Sequence, residues 1–162
     1  MIVQLWGVAG YGVDMRVVGF QFPDADDRAK RCSWHMVEGT ATCAEGSWSW
    51  RYPALTCDES PRLSAWLRSI ADAEESRLAG PGGTEGPAAT LSFVEPNLSL
   101  ALVGWARRAA LIDIGLDLEF APPWQPRRAA GSPYRVRCEV DREHLLQAAD
   151  DWDAEIAPYP DH

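Results

Sequence analysis

The sequence predicts an α+β fold: mainly antiparallel β-sheet of about eight strands, as one curved sheet or a two-layer sandwich, with two helices packed on it. Three observations carry this. Short β-branched and aromatic runs, punctuated by Gly, Pro and Asn, fill both halves of the chain. Two stretches place apolar residues at helical spacing instead, and each closes one half, giving four strands, a helix, four strands and a helix. The connections are short, which favours antiparallel neighbours. With 162 residues, 46% of them hydrophobic, the chain reads as one domain over residues 1–162, long enough to bury a core without staples.

The first strands are expected at Ile2–Trp6 and Val13–Phe22, around the turn signal GVAGYG. A charged loop at 23–31 leads to a second pair, Ser33–Thr42 and Ser47–Tyr52. The first helix starts at Pro61, where a missing N–H costs nothing, with Ser60 as N-cap. Leu63, Trp66, Leu67 and Ile70 form its stripe, which ends near Asp72. An alternative start uses Thr56 and Glu59 as a capping box, leaving Pro61 inside the first turns. Residues 79–88, rich in Gly and Pro, form a loop. Strands resume at Thr90–Val94, Leu98–Trp105, Leu111–Phe120 and Tyr134–Val140, with a proline-rich loop at 121–133. Asp141 caps the last helix, whose Leu145, Ala149, Trp152 and Ile156 share one side.

Between two of these strands lies Glu95-Pro96-Asn97. Pro96 fixes φ near −65°, Asn97 tolerates a left-handed conformation, and Glu95 is pushed extended by the proline after it. The three residues read as an architectural bend. A catalytic role for Glu95 would need a partner acid, with Asp113 or Asp117 as the candidates. Asp113, Asp117 and Glu119 share a face by even spacing, and a solvated sheet face is the better explanation of them.

No cofactor and no metal is expected. Cys32-Ser-Trp-His35 has C-x-x-H spacing but no second close pair of ligands. There is no G-x-S-x-G elbow, and GPGGTEG lacks the Lys of a phosphate loop. The four cysteines show no C-x-x-C pair, so free thiols in the cytoplasm are expected. The N-terminus lacks the basic start of a signal peptide, and no apolar run is long enough to cross a membrane.

The net charge is −9, and Glu139 to His162 carries eight acids against Arg142 alone. Phosphate repulsion makes nucleic acid a poor direct ligand, whereas a basic protein partner suits the field. Glu143, Asp150, Asp151, Asp153 and Glu155 of the last helix are the expected contact surface, with Asp153 off the two main rows. The eight tryptophans offer a second possibility. Trp48, Trp50 and Tyr52 alternate on one strand face; core packing is the plainer reading, and the alternative is that with Trp124 they line a groove for a carbohydrate or other small molecule.

Several runs resemble a known family. LSFVEPNLSL, the upstream GSWSWRYPALTCDESPRLSAWL and the later LEFAPPW occur in the same order in WapI-like immunity proteins. The similarity extends from about residue 19 to the terminal helix, and the EPNL run is its most specific part. The loop after QFP departs from the family pattern, with only Trp34 matching clearly. The resemblance implies a non-enzymatic cytoplasmic antidote to a contact-dependent bacterial toxin of the polymorphic kind. Its partner would be the toxin's C-terminal domain, often a nuclease in such systems. The resemblance brings no catalytic residues with it.

Overall fold

The computed structural model describes residues 3–7, 9–79, 88–126 and 131–161. These form two four-stranded antiparallel sheets, not one curved sheet. The first sheet runs in chain order: β1 (Val3–Trp6), β2 (Gly12–Phe20), β3 (Trp34–Cys43) and β4 (Gly46–Thr56). A four-residue helix, α1 (Arg28–Arg31), interrupts the charged loop; Asp27 caps it by accepting from Ala29 N at 3.0 Å. The long helix α2 (Pro61–Ala79) leads to the second sheet, β5 (Thr90–Ser92), β6 (Leu98–Ala106), β7 (Ala109–Leu116) and β8 (Tyr134–Asp141). Helix α3 (Arg142–Ile156) closes the described chain. Most of the Gly/Pro loop at 79–88 and the centre of the proline-rich loop lie outside the described residues.

Alternation decides which strand residues go inward. Val13, Met15 and Val17 of β2, Val37 and Ala41 of β3, and Trp48 and Trp50 of β4 are all buried. In the second sheet Leu98, Leu100 and Leu102 lie opposite Leu116, Ile114 and Ile112 in the register, and Val136, Cys138 and Val140 continue the row. Fully burying one such aliphatic side chain stabilises the fold by about 1.5–3 kcal/mol. Gly39 is required by size: a Cβ there would sit 2.5 Å from the Trp50 ring. Strand β4 continues beyond the expected Tyr52 and through Pro53. It is an edge strand, where a residue without an N–H is tolerated.

The helices lie against each other and against the sheets. Asp141 caps α3 as expected, accepting from His144 N at 2.9 Å. Burial raises the Asp141 carboxyl's pKa, but the bonds from His144 outweigh this and hold it below its usual value. Helix α2 starts at Pro61, as the sequence predicts, and runs past Asp72 to Ala79. The segment after Asp72 contains good helix formers and no Gly or Pro. Ser60 does more than precede the helix. Its hydroxyl oxygen lies 3.0 Å from Thr56 O, and its carbonyl accepts from Trp152 Nε1 at 2.8 Å. Glu59 supplies the backward half of a capping box, accepting from Thr56 N at 3.0 Å, although the helix begins later.

Candidate functional site

The bend at Glu95-Pro96-Asn97 forms, but Asn97 works differently from expectation. Positive φ among the described non-glycine residues occurs only at Arg107 and Leu118. Asn97 is fully buried instead. Its Nδ2 donates to Glu119 Oε2 at 2.8 Å, and its carbonyl accepts from Asp117 N at 2.9 Å. Glu59 Oε2 holds the other side of the bend, accepting from Val94 N at 3.1 Å. The bend is therefore tied to α2 and to the segment after β7.

That segment overturns the expected strand to Phe120. Strand β7 ends at Leu116, and Leu118–Phe120 is a turn of 3-10 helix. Asp117 makes the break: Oδ1 accepts from Leu118 N at 2.9 Å and Oδ2 from Gly131 N at 2.8 Å. Leu118 is held at φ 49° and is 40% exposed. A left-handed leucine costs about 1–2 kcal/mol, and here no burial compensates for it. Beyond it, an open cleft of about 400 Å³ lies between the 3-10 turn and the proline-rich loop. Asp117, Leu118, Glu119, Pro122, Pro123 and Gln125 are among its lining residues.

The carboxylates do not form a hydrolytic pair. Asp113 is buried beneath Arg137, which donates to it through Nε at 2.6 Å and Nη2 at 2.8 Å. This corrects the expected solvated face, and Asp117 has left the strand altogether. Both Asp117 oxygens accept backbone N–H groups. Glu95 is half-buried at the bend.

The aromatic groove is also corrected. Trp48 and Trp50 point into the core, where Trp50 stacks on Phe120 at 4.8 Å and Trp48 donates to Phe120 O at 2.8 Å. Tyr52 is partly buried against the same core. Trp124 alone of the four stands out, at 42% exposed. Its ring meets the edge of Trp48 at 5.2 Å, packs over Gly46 and bonds Glu45 Oε2 at 3.2 Å.

On α3, Glu143 and Asp150 are exposed, and Asp151 and Asp153 are half-exposed. Glu155 is not part of this surface. It is buried, and its Oε2 accepts from Val17 N at 3.0 Å, where a bulge disturbs the β2 ladder. Arg68 of α2 reaches both Asp150 and Asp153 at 2.7 Å, so part of the acidic charge is compensated within the molecule. His35 was the other ligand-like residue. It is buried between Ser60 Oγ and Tyr159 O, each at 2.7 Å, and Cys32 is not among its partners. Among the described residues no three His, Cys, Asp or Glu side chains gather as metal ligands would, and no helix there is long and apolar enough to cross a membrane.

The expected α3 acids and the bend were visible as residue types. The cleft was not, because no periodicity reports a left-handed leucine. A family model described as the immunity protein WapI-like family matches residues 4–160. No curated protein and no solved structure matches the chain.

Proposed function

The chain belongs to the WapI-like immunity protein family, and on that premise we propose that it neutralises a toxin by binding, without catalysis. The partner in this reading is the basic C-terminal domain of a cognate contact-dependent toxin, a nuclease met in the cytoplasm. The family match over residues 4–160 carries this reading. The charge of −9 supports it, because a nuclease must present cationic groups to phosphate.

The outer side of α3 supplies the steering field, through Glu143, Asp150, Asp151 and Asp153. Two opposite unit charges at 4 Å are worth about 4 kcal/mol at an effective dielectric near 20, before desolvation is subtracted. Steering of this kind raises association to roughly 10⁸–10⁹ M⁻¹s⁻¹ at low salt. Asp150 is held by Arg68, so Glu143 and Asp151 are the cleaner positions to test. Reversing both to Lys is expected to slow toxin association by about tenfold or more at low salt, with little change at high salt. Unchanged association, with cells still protected, would remove α3 from the interface.

A further inference from the structure

The α3 acids can attract a basic partner. The cleft beside the 3-10 turn can anchor one. Its lining combines the carboxylates of Asp117 and Glu119 with the apolar rings of Pro122 and Pro123. Asp117 is consumed by its two backbone donors, and Glu119 accepts through one oxygen from Asn97. Gln125, which also lines the cleft, has a side-chain oxygen shielded from solvent with no donor among the described residues. The last torsion of a glutamine is broad, so this oxygen can turn to a donor entering the cleft. Acceptors thus accumulate around an apolar-walled recess, and the complementary group is a cationic donor on a long aliphatic stem.

Two further features mark the rim. Leu118 is both strained and exposed, and strain held by surrounding bonds without a packing reward is a feature of binding sites. Trp124, on the proline-rich loop, keeps much of its ring in solvent while Glu45 and Trp48 fix its orientation. An oriented, exposed Trp is the residue type most enriched among interface anchors.

We infer that this cleft is a socket for an Arg or Lys side chain of the toxin domain, with Leu118 and Trp124 packing against the segment that carries it. This rests on the immunity reading above and specifies where contact is made. Arg is the better fit, since its planar fork serves a carboxylate and an amide oxygen at once and its stem packs on proline.

The test has two arms. In the first, N-acetylarginine amide and its neutral isostere N-acetylcitrulline amide are titrated into the full ¹⁵N-labelled chain. The Trp124 indole and Gln125 side-chain signals are expected to shift saturably with the arginine compound only, and less as salt rises. No shift, or equal shifts with both, overturns the socket. In the second arm, Glu119→Gln and Trp124→Ala are compared with wild type for binding the C-terminal domain of the cognate toxin. Glu119→Gln keeps an acceptor for Asn97, and Trp124 is a rim residue, so both variants should melt near wild type. Each is expected to weaken binding by about tenfold or more. If wild type binds and both variants bind equally well, the socket is wrong and the immunity reading stands. If wild type does not bind, the reading and the socket fall together.

Discussion

His35 sits between a carbonyl and a hydroxyl, and that fixes how its ring is used. Tyr159 O can only accept, so Nε2 carries a hydrogen, and the bare Nδ1 of the neutral ring takes the Ser60 hydroxyl hydrogen in place of Thr56 O. Burial lowers the His35 pKa below its ordinary value, although the Tyr159 bond and nearby Asp161 pull it up. The unfolded chain therefore takes up this proton first as the pH falls. The stability contributed by neutral His35 is present above about pH 6.5 and is lost as the pH drops from there through the lower folded-state value. Urea midpoints at pH 7.5 and 5.5 check this: wild type is expected to lose more stability across that interval than His35→Gln. Equal losses would mean that another group sets the slope. The thiols give a second residue-scale prediction. Burial pushes Cys57 and Cys138 up to about 12, whereas Cys32 and Cys43 are only half-buried. At pH 8 a thiol reagent is expected to label Cys32 and Cys43 first and the other two at the rate of unfolding.

At the scale of elements, α2 and α3 are held together by two unequal kinds of contact. Arg68 spans to Asp150 and Asp153 at the surface, and exposed ion pairs contribute only about 0–1 kcal/mol. Trp152 is fully buried and bonds Ser60 O. Denaturant titration should thus show a loss below about 1 kcal/mol for Arg68→Ala, vanishing in high salt. Trp152→Ala should lose about 3–5 kcal/mol at any salt. Comparable losses for the two variants would contradict this ranking. The helix contacts also show what the sequence conceals. Leu145, Ala149 and Trp152 were legible as the inner stripe of α3 because 3.6-residue periodicity reports a shared face. Glu155, three residues beyond Trp152, lies on the same side, yet its charge read as exposed. The donor that makes its burial tolerable is Val17 N on β2, far away in sequence. Likewise, period-2 alternation put Trp48, Trp50 and Tyr52 on one face of β4 without saying that this face was the core. The strand after Leu116 was misjudged for a third reason: Asp117 offers its carboxylate to Leu118 N and Gly131 N, a local competition that apolar alternation does not register.

For the molecule as a whole, the fold holds two sheets and two long helices so that the acidic side of α3 and the rim of the cleft both face solvent. Most of the protein is scaffold. Its buried Trp and aliphatic rows hold the bend at Asn97, and the bend in turn holds Asp117 and Glu119. In the proposed reading, charge sets how fast a basic partner arrives, and anchoring in the cleft sets how long it stays. The most direct measurement is stopped-flow Trp fluorescence of the purified chain mixed with the C-terminal domain of the cognate toxin, across a range of ionic strength. The expected result is a saturable complex whose association slows steeply with added salt and whose formation abolishes toxin activity at a one-to-one ratio. Absence of any complex at micromolar concentration, with toxin activity undiminished, would contradict the account.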